Sequence, residues 1–252
     1  MVVRQSERSG HLTPPKHYLS KELLESAKKT SSATVSGVLS GMGFRFVYMA
    51  GVHPVRPGSM VVGRAYTLRY LPRREDLTQN GPDRQSYAQT LAIESMGAGD
   101  VLVVDARGNT EAGVFGDLLA ARMEYRGAAG LVTDGALRDT PYLRTIAFPC
   151  FVRGAHGYGH PSEHWAADVQ LPIACGGVLV YPGDLIIGDD DGVAVCPQAL
   201  AEDVVQRAVE QETHELYARE LISKGVPIEE AHPPFSAERE SAYQAWRKER
   251  GL

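Results

Sequence analysis

Two carboxylates and one guanidinium stand at a spacing that could support chemistry on a small anionic substrate. Asp117 is followed, after twenty residues, by the pair Arg138-Asp139. Carboxylate oxygens suit Mg²⁺, which usually keeps several of its waters, and a guanidinium matches a carboxylate in a bidentate way. A metal held there would act as a Lewis acid toward a carbonyl oxygen. These residue types therefore predict a site for a 2-oxo acid.

The segment between these residues predicts how they meet. Asp117 opens a helical pattern that Gly127 ends, and a short apolar strand follows over residues 130–134. Arg138 and Asp139 come just after that strand. In open α/β sheets, ligands bind outside the carboxyl ends of the strands. We therefore expect the two carboxylates and the guanidinium to share one crevice with a helix N-terminus.

The start of this helix could itself bind an anion. Gly116 removes side-chain bulk just where the free N–H groups of Leu118 and Leu119 point outward. Such donors, together with the positive end of a helix, form a site for a carboxylate or a phosphate. Simpler explanations stay open, because an Asp at a helix start is a common N-cap and an adjacent Arg-Asp pair can be a local ion pair.

In this region the chain resembles the RraA-like family. The family's Asp-x20-Arg-Asp pattern occurs without a gap, and a second similar stretch spans residues 175–197. The resemblance extends over residues 30–215. The family includes class II, metal-dependent pyruvate aldolases that cleave 4-hydroxy-4-methyl-2-oxoglutarate and 4-carboxy-4-hydroxy-2-oxoadipate. It implies a swivelling β/β/α fold and a homotrimer or dimer of trimers with sites near the subunit boundaries.

The resemblance also implies a role for each matching residue. Asp117 and Asp139 would hold Mg²⁺ or Mn²⁺, partly through water. Arg138 would bind the pyruvyl oxygens and stabilise the enolate. The backbone N–H groups of Leu118 and Leu119 would hold the substrate carboxylate. Retro-aldol cleavage and oxaloacetate decarboxylation pass through the same pyruvate enolate, so one site could catalyse both.

We therefore expect a metal-dependent carbon–carbon lyase acting on a 2-oxo acid. Schiff-base chemistry is disfavoured because the chain has no lysine between Lys29 and Lys224. A metal-polarised water is our hypothesis for the base that takes the 4-hydroxyl proton. Two alternatives stay open: a protein-binding regulator of ribonuclease activity, and a sugar-acid dehydratase or tautomerase.

Two polar residues lie at or just after the end of another predicted strand, at the same sheet edge. Asn109 comes shortly after the apolar run of residues 101–105 and could bind the non-pyruvyl half of a substrate. Turn formation would explain Asn109 equally well. Asp105 could support the site from behind, but a cap at the strand end explains it more simply.

Other suggestive motifs have simpler explanations. Three histidines stand at steps of four, as in helical zinc motifs, but the intervening glycines and Pro161 disfavour a helix. We interpret the segment as a glycine-rich substrate-side or interface loop; the histidines are His156, His160 and His164. Residues 189–191 are three aspartates before Gly192 and predict a solvated turn. The Gly-x-Gly pairs lack the dinucleotide-binding spacing, which excludes an NAD fingerprint.

Strand–helix alternation predicts an α/β domain with a parallel βαβ core. An antiparallel β section follows residue 165, and helices are added at both ends. Gly63 could mark a bulge, and residues 73–83 resemble an inserted loop. We expect one domain over residues 1–252, with an N-terminal arm and helix over 1–30 and a helical extension over 216–252. Strands are predicted at 46–50, 60–71, 101–105, 130–134, 150–154, 178–181, 185–187 and 193–196, and helices at 21–29, 32–39, 87–95, 118–126, 198–224 and 236–250.

Composition narrows the class of partner and the compartment. A net charge of −5 argues against binding nucleic acid through phosphate contacts. Three cysteines without CxxC spacing indicate buried, reduced thiols. The N-terminus lacks an apolar signal segment, and no apolar run reaches the ~18 residues of a membrane span. We expect a cytoplasmic protein without a membrane partner.

Overall fold

A computed structural model describes residues 19–78 and 87–252. These residues form a mixed α/β structure, which confirms the predicted fold class. The helices are α1 (Lys21–Ala27), α2 (Ser32–Gly41), α3 (Glu75–Thr78), α4 (Ala88–Ser95), α5 (Asp117–Tyr125), α6 (Thr140–Leu143), α7 (Ala201–Ser223), α8 (Ile228–Ala231) and α9 (Ala237–Arg250), with 3₁₀ turns at His160–Ser162 and Gln198–Leu200.

The strands are short except for one. They are β1 (Tyr48–Met49), β2 (His53–Pro54), β3 (Val61–Pro72), β4 (Asp100–Asp105), β5 (Gly113–Phe115), β6 (Gly130–Thr133), β7 (Ala136–Leu137), β8 (Cys150–Val152), β9 (Gly154–Ala155), β10 (His164–Val169), β11 (Ile173–Cys175), β12 (Val178–Val180), β13 (Leu185–Gly188) and β14 (Val193–Cys196).

The main sheet joins a parallel core to antiparallel flanks. Its strand order is β1-β14-β13-β3-β4-β6-β8-β2, and β10 pairs with the second half of β3. The pairs β3–β4, β4–β6 and β6–β8 are parallel, whereas β13, β14 and β1 pair in antiparallel fashion. Strand β4 reads DVLVVD and is buried over residues 101–105, as expected for a strand covered on both faces.

A second, small parallel sheet lies at the carboxyl edge of this core. Strands β4, β6 and β8 are each followed along the chain by a short strand, respectively β5, β7 and β9. These three pair in parallel in the order β5-β7-β9. The small sheet therefore carries residues that leave the ends of the main strands, and it positions the candidate site.

Serine side chains fix the starts of three helices. Ser20 accepts a hydrogen bond from Leu23 N, which confirms the cap predicted there. Ser31 and Ser236 cap α2 and α9 in the same way. Each of these bonds satisfies one of the N–H groups that a helix start leaves without a partner. Of these three caps, the one at Ser20 was predicted from the sequence.

Several sequence predictions need correction. The strand predicted over 46–50 is reduced to β1, and the long helix begins at Ala201 after a 3₁₀ turn. Gly63 is not a bulge, because its pairing with β13 keeps a regular register. An added Cβ there would lie 2.5 Å from the carbonyl oxygen of Gly99, so close backbone approach explains this glycine. Part of the loop predicted over 73–83 forms α3. Residues 79–83 of that loop and residues 1–18 of the predicted N-terminal arm lie outside the described ranges.

The aspartate run does more than form a solvated turn. Both oxygens of Asp189 bind Ser32, one accepting from its backbone N–H and the other from its hydroxyl, each at 2.7 Å. Asp190 accepts from Gly58 N at 2.7 Å. Since α2 begins at Ser32, Asp189 acts as a remote cap of that helix. The run therefore fastens α2 and a neighbouring loop to the β13–β14 turn.

The C-terminal extension has an aromatic cluster of its own. Tyr217 of α7 packs against Tyr243 and Trp246 of α9, with ring centroids 5.4 and 5.2 Å away. The indole of Trp246 donates to Glu220 at 2.7 Å. This cluster is separate from the hydrophobic clusters around the main sheet. It explains how a highly charged helix stays attached to the end of α7.

Two further properties concern the cysteines and the apolar character of the helices. All three cysteines are free and buried, and burial raises the pKa of Cys150 and Cys196 to about 12. Such thiols stay protonated at neutral pH and are poor nucleophiles. Over residues 19–78 and 87–252, none of the helices combines the length and the apolar character required to cross a membrane.

Candidate active site

The small parallel sheet brings the predicted residues to one cavity. Strand β5 pairs with β7, and Arg138 N donates to the carbonyl of Phe115 at 2.9 Å. Helix α5 begins two residues after Phe115, so its N-terminus lies beside the end of β7. Residues 113–119, 138–139 and 159–161 line a cavity of about 380 Å³. Gly116, Asp117, Leu118, Leu119, Arg138 and Asp139 all lie on its wall.

The two carboxylates approach each other through the start of α5. The backbone N–H of Asp117 points to Oδ2 of Asp139, with an N–O distance of 3.4 Å. Oδ1 of Asp117 accepts from Leu118 N at 2.7 Å. Within the described ranges, neither carboxylate forms an ion pair with a basic side chain. Each carboxylate therefore has one oxygen without a hydrogen-bond partner among the described residues.

The two amides expected to hold a substrate carboxylate differ in availability. The N–H of Leu118 is already bonded to Oδ1 of Asp117, whereas the N–H of Leu119 has no hydrogen-bond acceptor among the described residues. It belongs to the first turn of α5, where N–H groups lack helical partners and the helix dipole is positive. Of the two amides, Leu119 is thus the one free to bind an anion in this structure.

Arg138 reaches the cavity without an acidic partner in the part of the chain that the structure describes. Its guanidinium forms neither a hydrogen bond nor an ion pair with any described residue, and the side chain is exposed. Its path is set by two glycines. A Cβ on Gly113 would lie 2.5 Å from Cγ of Arg138, and one on Gly159 would lie 3.3 Å from Nη1. All five N–H donors of the guanidinium are therefore available to a ligand.

Asp139 is held in a backbone conformation that non-glycine residues seldom adopt. Its φ is 59° and its ψ is 28°, in the left-handed region, at the N-cap of α6. Such residues are uncommon and cluster at functional sites. A Cβ on Gly116 would lie 2.5 Å from Oδ2 of Asp139, so the absence of a side chain at residue 116 makes room for this carboxylate.

An imidazole forms part of the opposite wall. His160 stacks on Tyr87 (centroids 5.8 Å apart) and meets the edge of Tyr70 (5.7 Å). Its Nε2 is buried and has no hydrogen-bond partner among the described residues. Burial, and secondarily the nearby His164, lowers the pKa of His160 to about 4. The imidazole is therefore neutral at physiological pH.

The other polar candidates lie away from the cavity wall. Oδ1 of Asn109 accepts from Glu111 N at 2.7 Å, as in a turn, and Asn109 is not among the described residues that line the cavity. Asp105 accepts from Arg107 N at 2.8 Å and acts as a cap beyond its strand. Burial raises the pKa of Asp105. The turn explanation thus accounts for the hydrogen bond of Asn109, and the cap explanation accounts for that of Asp105.

The spaced histidines do not share a helical face. His164 Nδ1 lies 3.0 Å from Nη2 of Arg107, and His156 packs against Tyr158 with ring centroids 5.3 Å apart. The glycine-rich segment nevertheless borders the cavity through residues 159–161. The wall positions of His160 and of Gly113 were missed from the sequence. The crowding of glycines around residues 157–159 was the one usable signal.

The donor set fits a divalent cation that keeps part of its water. Asp117 and Asp139 offer hard oxygens, and no cationic side chain of the described residues competes for them. Within residues 19–78 and 87–252, three or more His, Cys, Asp or Glu side chains are nowhere grouped as metal ligands. One or two carboxylates with several waters are the pattern typical of Mg²⁺, rather than of a closed protein cage. The residues present therefore suit Mg²⁺ or Mn²⁺ better than structural zinc.

Comparisons with known proteins agree with this architecture. The family model described as RraA-like: Aldolase/RraA matches residues 32–195. A Halalkalibacterium halodurans protein named "Putative 4-hydroxy-4-methyl-2-oxoglutarate aldolase" is 32% identical over 69% of this chain and 78% of its own length. Protein DlpA of Legionella pneumophila is 28% identical over 86% of this chain, which spans only about a third (34%) of that relative.

A solved structure extends the comparison to the backbone. Streptomyces coelicolor RraAS2, described as an unusual member of the RNase ES inhibitor RraA protein family, superposes with a TM-score of 0.73 at 36% identity. The match covers 81% of this chain and 99% of that one. The matched family model spans both halves of the cavity, since it includes α5, β7 and residues 159–161. The chain belongs to the RraA-like family.

Proposed function

We propose that this protein is a divalent-metal-dependent carbon–carbon lyase acting on a 2-oxo acid. The reactions are retro-aldol cleavage of a 4-hydroxy-2-oxo acid to pyruvate and decarboxylation of oxaloacetate. One observation carries the proposal: the guanidinium of Arg138, which has no acidic partner among the described residues, lines the same cavity as the carboxylates of Asp117 and Asp139. The aldolase name of the Halalkalibacterium relative supports it.

The residues of the chain would act on the pyruvyl half of the substrate. Arg138 would donate to the pyruvyl oxygens and offset the negative charge that grows on the 2-oxo oxygen as the enolate forms. The free N–H of Leu119 would bind the carboxylate at the helix start. Asp117 and Asp139 would hold Mg²⁺ or Mn²⁺, which when bound supplies Lewis acidity toward the 2-oxo group.

Pyruvate formation tests this proposal. Purified protein is incubated with oxaloacetate or 4-hydroxy-4-methyl-2-oxoglutarate, with either Mg²⁺ or EDTA, and pyruvate is followed by coupled reduction. We expect the wild-type protein to form pyruvate from at least one substrate in a metal-dependent reaction. Asp139→Ala should form no pyruvate while its circular dichroism spectrum stays that of the wild type. Metal-independent turnover, or full activity of Asp139→Ala, would remove the carboxylates from the mechanism.

A second candidate function has a specific observation in its favour. The similar Streptomyces structure is described as belonging to a ribonuclease-inhibitor family, so a protein-binding regulator is the main alternative. A sugar-acid dehydratase or tautomerase on the same site is another. No pyruvate from either substrate, combined with tight binding to a ribonuclease, would favour the regulator.

The assembly state is a further proposal. We propose a homotrimer or a dimer of trimers, as the family resemblance implies. The exposed side chain of Leu118 at the cavity mouth, 80% accessible in the single chain, is consistent with additional cover there. Sedimentation equilibrium would give three or six times the chain mass of 27.4 kDa; a monomer would contradict the proposal.

A further inference from the structure

Strand β5, which leads into helix α5, contains a bulge. Gly113 pairs with the first residue of β7 and Phe115 with the second, so two steps along β5 match one step along β7. Val114 is the extra residue between them. A bulge leaves its extra residue outside the ladder, bends the strand and changes the direction of the chain that follows. Here that chain is Gly116 and the start of α5.

The carbonyl of Val114 is held by side chains from outside the small sheet. Nε2 of Gln89, in helix α4, donates to this oxygen at 2.8 Å and to the hydroxyl of Tyr70 at 2.8 Å. The hydroxyl in turn donates to the carbonyl of Val114 at 3.4 Å. All three residues are buried. The bulge is therefore fixed by a closed group of three hydrogen bonds behind the cavity wall that Val114 helps to form.

Gln89 is unusual among the residues that its helix buries. Helix α4 lies wholly within the described ranges, and of its four buried residues only Gln89 is polar; the others are Ala88, Ala92 and Ile93. An amide is costly to bury unless its hydrogen bonds are satisfied. The packing of α4 alone would favour an apolar side chain at this position. The two N–H groups of Gln89 instead serve the bulge and Tyr70.

The start of α5 has little space in which to move. Gly116 follows Val114 by two residues, and a Cβ added to Gly116 would lie 2.5 Å from Oδ2 of Asp139. A movement of the bulge would change the positions of the Asp117 carboxylate and the Leu119 N–H relative to Asp139. Displacements of about 1 Å at a reacting centre cost on the order of 100-fold in rate. The geometry of the site therefore depends on how firmly the bulge is held.

We propose that Gln89 is a positioning residue of the candidate active site. Its amide fixes the bulge at Val114, and the bulge sets where α5 begins relative to Arg138 and Asp139. Gln89 is not among the described residues that line the cavity, and it acts through the backbone of β5 rather than on the substrate. Its effect on catalysis rests on the proposed function. Its effect on the start of α5 rests only on contacts buried within one chain.

Three variants test the inference. Gln89→Met keeps the length and the unbranched shape of the side chain but lacks its N–H donors. Tyr70→Phe removes the longer hydrogen bond to Val114 and leaves the shorter one. Ile93→Ala is the control, because it loosens the packing of the same helix but the side chain it removes has no hydrogen-bonding group. For each variant we measure the Tm, amide hydrogen exchange, and kcat for pyruvate formation in saturating Mg²⁺.

Two amides report on the bulge directly. Ala120 N donates to the carbonyl of Gly116, and Arg138 N donates to that of Phe115. We expect Gln89→Met to accelerate exchange at both amides and to lower kcat at least ~10-fold. Ile93→Ala should lower the Tm at least as much, yet exchange at these amides should stay slower than in Gln89→Met and kcat should stay near the wild-type value. Tyr70→Phe should fall between the wild type and Gln89→Met.

The outcomes separate the inference from the proposed function. Wild-type exchange at both amides and wild-type kcat in Gln89→Met would overturn the inference. An equal loss of kcat in Ile93→Ala would also overturn it, because Gln89 would then act through stability alone. If Gln89→Met does not fold, Tyr70→Phe decides, and wild-type exchange and kcat in that variant would overturn the inference. If the wild-type protein forms no pyruvate, the proposed function fails, while exchange at Ala120 and Arg138 still decides whether Gln89 positions α5.

Discussion

Replacing Gly116 with alanine should damage the site while sparing the fold. The added Cβ would lie 2.5 Å from Oδ2 of Asp139, whereas ordinary contacts begin at 3.4 Å. The carboxylate must therefore move by about 0.9 Å, the difference between those two values. Displacements of this size in an active site cost on the order of 100-fold in rate, or about 2.7 kcal/mol of activation free energy.

The same substitution should have little effect on stability. The φ of Gly116 is −141° and its ψ −170°, an extended conformation open to alanine, and the atom displaced is the end of a side chain. Loss of a glycine N-cap costs up to about 1 kcal/mol, which lowers the Tm of a chain of this size by roughly 2–4 °C.

A matched pair of variants makes the test specific. Gly157→Ala lies in the neighbouring glycine-rich loop, where an added Cβ meets nothing within 4 Å. We measure kcat/KM for pyruvate formation and the Tm of both variants. Gly116→Ala should lose roughly 100-fold in kcat/KM and Gly157→Ala should lose little. Wild-type activity in Gly116→Ala would refute the argument that the position of Asp139 is critical.

Three further substitutions test separate parts of the structure. Arg138→Lys keeps the charge but loses the planar fork, so pyruvate affinity, measured by calorimetry, should fall at least ~10-fold; unchanged affinity would exclude bidentate binding. Burial raises the pKa of Asp184 from 3.8 to about 6, so ionisation of this carboxyl is disfavoured in the folded state. The free energy of unfolding should therefore fall by on the order of 3 kcal/mol as pH rises from about 4 to about 6. In urea titrations, Asp184→Asn should lack that component of the pH dependence, and an unchanged pH slope would contradict the assignment. Trp246→Ala removes a buried indole at a cost of roughly 3–5 kcal/mol, so hydrogen exchange in α9 should accelerate while pyruvate formation continues; loss of activity would mean that the extension supports the site.

The sequence predicted best what depends on local physics. The apolar runs of β4 and β6 and the serine cap of α1 have local signals, because burial pattern and N-cap chemistry act over a few residues. The loop between β3 and α4 lies partly outside the described residues, so that prediction stays untested in part. The single-domain organisation also stays a prediction.

The sequence predicted poorly what depends on distant partners. Asp189 looked like part of a solvated turn because its partner, Ser32, lies 157 residues away in the chain. Gly63 suggested a bulge, but the reason for this glycine is the backbone of Gly99 across the sheet. His160 lies on the cavity wall because a 3₁₀ turn begins there, and such a turn has no hydrophobic periodicity by which the sequence could predict it. In each case the decisive contact is long-range, and a single sequence does not encode it in a local pattern.

The site itself falls between these cases. The sequence alone predicted that three of its residues lie together, because a helix, a strand and a turn of ordinary length connect them. These residues are Asp117, Arg138 and Asp139. The free amide was harder to identify. The fold distinguishes Leu119, whose N–H has no acceptor among the described residues, from Leu118, whose N–H is bonded to Asp117. The roles of these residues in binding and catalysis stay predictions.

A crystal structure with Mn²⁺ and pyruvate would test the central claim most directly, because the anomalous signal of manganese locates the ion without ambiguity. We expect one ion per chain at the carboxylates of Asp117 and Asp139, and pyruvate beside it within hydrogen-bonding distance of the Arg138 guanidinium. Manganese or pyruvate bound elsewhere, with those three side chains directed away from the ligand, would contradict the account.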